Sequence, residues 1–564
     1  MEKFFAITLP AGSSLGNRTG NWREERPVFV DLLPPCNDAC PAGENVQGWL
    51  YAAAEGDYEG AWRAVMADNP LPAVTGRACY RPCEAACNRA KLDEAVSINA
   101  LERFVGDFAI ERGLHIEPPA VESGKRALVV GAGPAGLSAA YHLRRLGHAV
   151  VIYEAAPLPG GMMRYGLPEY RLPRRVLDAE IARIIDLGIE LQLRHPVEDL
   201  AASLEEAILA GRSFDAVFLG VGAQVAKREH IPAGGSARVI NALALLRSVN
   251  EGGVPALGRH VVVYGGGDAA VDAARTAKRL GADEAVIVCR FTQELMPAHP
   301  EGLEDALGEG IKVKWLSAIT HVAQGSVLLE DMELDEAGLP QPTGEVEELD
   351  ADALVLDLGQ EADLSLVARM AGVRVHKGWV SVGPTMMTGE PGVFAGGDMV
   401  GRDMTLPAAI GHGKLAARAM HAYLAGSELT VPRRHQLAGP ERLNTWYYSD
   451  AARSVPPRPE AAKSVPTFDE VKAGLDAESA VFEARRCMSC GNCFECDNCL
   501  GVCPDSAVLK LADAVVGGGP GAEPVFASGG KGRRYVFDYD YCKGCGLCAA
   551  ECPCGAIVME PEPT

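Results

Sequence analysis

Two hydrophobic rhythms alternate along the middle of the chain. Short unbroken apolar runs, RALVV (126–130) and AVVIYE (149–154), flank a stretch with apolar positions at helical spacing, LSAAYHLRRLG (137–147). A continuous run reads as a strand buried on both faces of a parallel sheet, and the stretch between as the crossover helix. The order recurs from His260: HVVVY, then VDAARTAKRLG, then AVIVCR (285–290). A third apolar strand, GVFAGGD (392–398), precedes Pro407 and the helical run AAIGHGKLAARAMHAYL. Pro is favoured at the first helical position. The segment before residue 122 reads as helical. The Pro-, Arg- and Ala-rich stretch around VPPRPEAAKSVP reads as an extended, partly wrapped linker. RRYVFDY (533–539) reads as a strand.

The turns between these elements carry chemistry. RALVV runs into Gly131-Ala-Gly133-Pro-Ala-Gly136, and the second strand ends at Glu154. This is a complete dinucleotide-binding βαβ fingerprint: one Gly for the turn, one for the pyrophosphate, one for helix–strand contact, and an acid for a ribose about 20 residues on. The second unit has Gly265-Gly266-Gly267-Asp268-Ala269-Ala270, with Ala270 in place of the third Gly. Arg290 stands where the acid would be. An Arg there pairs with a 2′-phosphate and favours NADP; otherwise it is a surface charge. Gly397 and Asp398 close the third strand, where Asp398 either holds the ribityl–pyrophosphate region of a flavin or caps a helix. The following helix N-terminus would favour negative charge on a flavin ring.

The cysteines change the picture most. Cys493, Cys496, Cys499 and Cys503 precede Pro504, and Cys542, Cys545, Cys548 and Cys552 precede Pro553. Each run is C-x2-C-x2-C-x3-C-P, the spacing of paired [4Fe–4S] clusters in which the fourth Cys serves the other cluster. Two C-terminal clusters are expected. Asp538 and Asp540, before the second run, would lower cluster potentials. Cys487, Cys490 and Cys554 are extra; the first two either flank a further cluster or are reduced thiols, and we favour thiols. Cys289 reads as packing. Five cysteines near the start, Cys36, Cys40, Cys79, Cys83 and Cys87, suit one cluster, and a second only with a non-Cys ligand; we expect one, with Cys40, Cys79 and Cys83 the firmest ligands. Zinc is the competing metal for such a set.

Composition narrows the classes. The chain has 564 residues, a formal charge of -22 and a mean hydropathy of +0.02. No basic face speaks for nucleic acid. No apolar run is long enough to span a bilayer, and no charged-then-apolar leader is seen. The 17 cysteines are clustered at metal spacing rather than spread as a disulfide framework, which implies a reducing cytoplasm. No metalloprotease motif, nucleophile elbow or P-loop appears.

GGMMRYGLPEYRLP (160–173), GGGDAAVDAARTAKRLGA (265–282), Met296-Pro297-Ala298 and GVFAGGD together resemble the small (β) subunit of bacterial glutamate synthase, over about Cys36 to Leu424. The same module occurs in the N-terminal half of dihydropyrimidine dehydrogenase. The resemblance implies NAD(P)H oxidation, hydride transfer to FAD and single-electron exit through iron–sulfur clusters. It maps Gly131, Gly133, Gly136, Glu154, Gly161, Arg164, Gly397, Asp398 and Thr405 to an FAD site. It maps Gly265, Gly267, Asp268, Ala270 and Arg290 to a nicotinamide nucleotide site. Family members often have Tyr-Arg-Arg where Cys289-Arg290-Phe291 stands, so the NADP preference rests on one Arg. Glu102 falls near the position where some relatives use a Gln or Glu cluster ligand; as an ordinary helix residue it would be exposed.

The expected fold is α/β. Two Rossmann-like domains, for FAD (123–224 and 360–428) and NAD(P) (225–359), follow a helical iron–sulfur domain (1–122). A linker (429–480) leads to an α+β bacterial-type ferredoxin domain (481–564). The expected function is an oxidoreductase subunit moving electrons between NAD(P)H and a protein partner within a hetero-oligomer. That partner would be a ferredoxin, a 2-oxoacid oxidoreductase, a sulfite reductase or a glutamate synthase large subunit. The alternatives are a conventional glutamate synthase small subunit and a non-catalytic electron-transfer or assembly subunit with a vestigial NAD site.

Overall fold

The computed structural model describes residues 18–227, 238–430, 435–458, 465–515 and 533–563. Its centre is two five-stranded parallel sheets. In the first, strands run in the order Val393–Ala395, Ala216–Leu219, Arg126–Val130, Ala149–Glu154, Glu190–Leu193. In the second the order is Lys312–Lys314, Glu284–Val288, His260–Tyr264, Ala353–Leu356, Val239–Asn241. The continuous apolar runs are buried as parallel strands require: Ala127 to Val130 and Val261 to Tyr264 are all buried. The chain crosses between the sheets twice, and the crossings pair antiparallel, Val225–Ala226 with Gln360–Glu361.

Helix Pro134–Arg145 leaves the first glycine turn and packs against helix Leu406–Leu424. Their approach is close because Gly413 has no side chain: a Cβ there would lie 2.3 Å from Ala135 O. Thr405 caps the second helix, its Oγ1 accepting from Ala408 N, with Pro407 in the first turn.

The helical region expected before residue 122 is found as helices Val46–Ala54, Tyr58–Met66, Pro72–Ala78 and Ile98–Glu111, around Trp49 and Trp62. It docks on the first sheet unit. A Cβ on Gly411 would meet Pro41 O at 2.0 Å, and Lys414 Nζ donates to Gly43 O at 2.8 Å.

Among the described residues, the first strand pairs with the last. Strand Glu25–Phe29 pairs antiparallel with Ile557–Pro561, Phe29 opposite Ile557. Arg23 clamps the pair by donating to both carboxylate oxygens of Glu562, and to Tyr539 O and Cys542 O. The strand expected over RRYVFDY is Arg533–Phe537, antiparallel to Val508–Val515. The described parts of the Pro-rich stretch wrap onto the other modules: Val471 N donates to Tyr170 O, and Asn444 N to Pro553 O. Helix Ala477–Arg485 then packs on Val46–Ala54 and delivers the chain to Cys487.

Candidate flavin, nucleotide and cluster sites

At the first glycine turn a Cβ on Gly136 would sit 1.9 Å from Gly131 O, so helix and strand meet only with Gly there. Gly133 faces Gly161 across the turn, and Gly161 has φ +52°. Glu154 reaches back to this turn: Oε2 accepts from Ala132 N at 2.7 Å and Oε1 from Ala156 N at 2.8 Å. A cavity of about 280 Å³ lies over these groups, lined by Gly131, Gly133, Glu154, Gly161, Gly397 and Asp398 among others. It sits at the N-terminus of helix Pro134–Arg145, where free amides and the helix dipole favour a pyrophosphate. Burial alone raises the Asp398 pKa. Gly397 N donates to His412 Nδ1, whose ring burial biases toward the neutral form needed to accept.

A second cavity, about 160 Å³, continues from the first and shares Pro134, Met162, Asp398 and Ala409 with it. Thr405 and Leu406 line one side, Leu243, Leu246 and Asp268 of the second sheet unit another, and Ala78 and Tyr80 of the helical region a third. Three parts of the chain therefore meet where a flavin ring and a nicotinamide would face each other.

The residues expected here do not all arrive. Arg164 is buried but turned away: Nε donates to Pro159 O at 2.5 Å and Nη2 to Asp178. Arg290 is exposed at the end of strand Glu284–Val288. Gly265, Gly267 and Ala270 form the second glycine turn, and neither cavity is lined by them. Asp268 does line the shared cavity, accepting from Tyr80 Oη at 2.9 Å and from His299 N at 3.1 Å. The Tyr80 and His299 rings stack at 5.1 Å. Sequence reasoning missed Asp357, whose Oδ2 accepts from Ala270 N at 3.0 Å at the start of helix Asp268–Arg279. The readable signal was an acid directly after the apolar run ALVL. Cys289 is packing, buried beneath Gly266.

At the C-terminal end the fourth cysteines cross over. Cys503 lines one small cavity with Cys542, Cys545 and Cys548. Cys493, Cys496, Cys499 and Cys552 are mutual electrostatic neighbours; after burial, Cys493, Cys552 and Cys496 push the Cys499 thiol up to about 12.

The five N-terminal cysteines do not form one set. Cys40, Cys79 and Cys83 face one another, and burial, then Cys79 and Cys40, push the Cys83 thiol well up. Glu102 is the fourth group, acting on all three. It is buried, not exposed, at 6%. Burial first, and then the neighbouring Glu44, hold its carboxyl well above the usual range. Asn69 Nδ2 donates to it at 2.9 Å, and Thr75 Oγ1 also donates. Cys36 and Cys87 turn to the other side of the helical region. There they line a separate small cavity with Cys487 and Cys490. Cys487 and Cys490 therefore lie beside two cysteines of the helical region rather than apart from them. Cys554 is buried, its Sγ 3.8 Å from that of Cys552.

The donor sets fit the groups they would hold. Thiolate sets around small cavities suit iron–sulfur clusters. Among the described residues no three or more His, Cys, Asp or Glu close on a single metal ion. Among them also, no helix is long and apolar enough to cross a membrane.

Two parallel-sheet dinucleotide units sharing one cleft, with cysteine sets alongside, define an iron–sulfur flavoprotein oxidoreductase. Residues 125–413 match the pyridine nucleotide-disulphide oxidoreductase family, and the chain belongs to that family. Residues 32–114 match dihydropyrimidine dehydrogenase domain II with its 4Fe-4S cluster, and residues 492–556 a 4Fe-4S dicluster domain. FAD, NAD(P)H and [4Fe–4S] clusters are its cofactors. The NADP(+)-dependent formate dehydrogenase subunit beta of Moorella thermoacetica is 33% identical over 81% of this chain and 71% of that protein. The NADPH-Fe(3+) oxidoreductase subunit beta of Geobacter sulfurreducens is 29% identical over 82% and 76%. The NAD-dependent dihydropyrimidine dehydrogenase subunit PreT of Escherichia coli is 32% identical over 72% and 97%.

Proposed function

We propose that this chain is the electron-entry subunit of a multi-subunit enzyme, taking hydride from NAD(P)H and delivering single electrons to a partner protein through its C-terminal clusters. The observation that carries this reading is the shared cleft. Asp268 of the nucleotide unit, Asp398 and Thr405 of the flavin unit, and Ala78 beside Cys79 all line one cavity. Bound FAD accepts electrons as a pair and releases them singly, and clusters accept them one at a time.

The protein's own groups position this exchange. Gly131, Gly133 and Gly136 let the FAD pyrophosphate approach the helix terminus, and Glu154 holds the turn and meets the ribose. The start of helix Leu406–Leu424, with Thr405 and Leu406 at the cavity wall, favours negative charge on the reduced ring. Cys40, Cys79, Cys83 and Glu102 hold the first cluster. Cys493, Cys496, Cys499 and Cys552 hold one of the terminal pair, and Cys503, Cys542, Cys545 and Cys548 the other. Arg290 lies where it can meet a 2′-phosphate from solvent. The designation of two relatives as beta subunits supports a hetero-oligomer. The acidic surface favours a partner with a basic docking face.

An anaerobic titration of purified protein with NADH and, separately, NADPH tests this. Flavin bleaching followed by cluster reduction is expected. Flavin reduced by dithionite but by neither nucleotide would overturn it.

A further inference from the structure

The cavity between the helical region and the start of the C-terminal module remains unexplained by the sites above. It is lined by Cys36, Cys87, Cys487 and Cys490, with Pro34, Gln47 and Asn88 around them. Residues 487 and 490 lie outside both stretches that match iron–sulfur families, 32–114 and 492–556. We propose that these four cysteines hold a further [4Fe–4S] cluster, which joins the flavin-side cluster to the C-terminal pair. This rests on the electron-entry reading for its role, but not for its existence.

Three observations support the site. First, the surroundings are built to hold the Cys487–Cys490 loop in place. Asn88 Nδ2 donates to Cys490 Sγ at 3.4 Å and to Ala438 O at 2.8 Å. Gln47 Nε2 donates to Ser489 Oγ at 3.1 Å. Arg486, buried, donates to Glu483, Asp93, Glu94 O and Ala451 O, and Arg89 donates to Asp93 and Ser449 O.

Second, the loop has the local geometry of the other cluster loops. Ser489, two residues after Cys487, has φ +49°, in the left-handed region that non-glycine residues seldom enter. Its backbone N–H is directed at the Cys487 thiol. The same pairing occurs at Cys79 with Arg81 (φ +60°), Cys493 with Glu495 (φ +62°) and Cys542 with Gly544 (φ +73°). Such strain persists where a site over-determines the backbone, and an N–H aimed at sulfur stabilises a thiolate ligand.

Third, the four sets form a series linked by short covalent steps. Cys36 and Cys40 are four residues apart and serve adjacent sets, as do Cys83 and Cys87. Cys490 and Cys493, three apart, serve the next two sets, and Cys499 and Cys503 the last two. Steps of three or four residues span at most about 11–14 Å of chain. Tyr448 lies at the second junction, between the Cys36 and Cys493 sets: its hydroxyl donates to Met488 O at 2.9 Å, and Cys554, Cys490, Cys487 and Cys552 all act on it. Each electron entering the Cys36 set from the Cys40 set leaves to the Cys493 set, with no bond made and no proton required. Without this cluster the path from flavin to the C-terminal pair has a gap at the domain junction.

The test is iron and acid-labile sulfide per chain in anaerobically prepared protein, with electron paramagnetic resonance of the dithionite-reduced state. Four clusters give about 16 iron atoms per chain and three give about 12. Full-length protein that saturates near the lower figure overturns the proposal. The Cys487→Ala/Cys490→Ala protein is expected to lose a quarter of its iron and one set of resonance signals. It should keep flavin reduction by nucleotide while cluster reduction beyond the Cys40 set slows at least 100-fold. Unchanged iron and spectra in that variant also overturn it. Because iron counting needs no nucleotide, a protein that binds the expected iron but takes no hydride would sink the electron-entry reading and leave the site intact.

Discussion

In the C-terminal module the eight cysteines proposed as cluster ligands lie between residues 493 and 552, and the two sets exchange one cysteine each. The helical region divides its cysteines by the same short spacing, but one of its proposed sets takes two cysteines from beyond residue 486: 402 positions separate Asn88 from Cys490, which it contacts. The first arrangement makes a module that could be moved between proteins. The second fixes the C-terminal module to the flavoprotein, since the strand pair Glu25–Phe29 with Ile557–Pro561 and the wrapped segment bring the same two regions together. A redox series needs fixed separations, and shared ligands supply them.

The largest effect that sharpens this contrast is loss of Cys40. Cys40→Ala should abolish the flavin-side cluster and cut nucleotide-driven reduction of the C-terminal pair by about 1000-fold or more. Cys545→Ala should leave reduction of the remaining clusters close to wild type. Stopped-flow absorbance of both variants checks it, and equal effects would break the contrast.

Exposure gives the next difference. Cys496 and Cys545 are exposed, whereas Cys36 and Cys83 are buried. Ferricyanide or a chelator should therefore strip the C-terminal pair first, with the helical-region signals surviving longest in a time course of resonance spectra.

Glu102 sharpens the account within the helical region. Glu102→Ala should lose the Cys40 set's cluster or shift its potential, while Glu102→Gln, which keeps an oxygen ligand, should retain the iron. Redox titration distinguishes the two.

The ionic node at Glu301 should have a smaller effect, on stability. Burial would raise this carboxyl's pKa, but Lys472, Arg81 and Arg458, from the wrapped segment and the helical region, outweigh it and hold it at about 2. Its folded pKa is depressed, so its contribution is complete above the unfolded value near 4.5 and is lost as pH falls toward 2. Glu301→Gln should lower the thermal midpoint at pH 7 and flatten the loss of stability below pH 5. The smallest change is expected from Arg290→Ala: at most a 10-fold rise in KM for NADPH with little change for NADH.

How much of this was legible depended on whether a site's parts were local in sequence. The glycine turns, with strand, helix and Glu154 in order, and the two cysteine runs ending in Pro are local patterns, each fixed by one turn's geometry. Cys487 and Cys490 carry a metal-ligand spacing, but nothing near them names Cys36 and Cys87 as partners. Their pairing follows from the route of the wrapped segment, which no periodicity encodes. Glu102 was readable in part. Ile98, Leu101, Val105 and Ala109 mark the buried stripe of its helix, and Glu102 lies within it, so a charged residue was placed on an apolar face. Arg164 holds the position the sequence pattern marks, and what sequence does not show is that Asp178 and Pro159 take its donors.

The central claim is directional: electrons enter at the nucleotide cleft and leave at the C-terminal clusters. Rapid mixing of the oxidised protein with the better nucleotide donor under anaerobic conditions, freeze-quenched and read by resonance spectroscopy, tests it most directly. The account predicts flavin reduction first, then signals from the helical region, then those of the C-terminal pair. C-terminal signals appearing before any flavin change, or flavin reduction with no cluster signal at all, would contradict it.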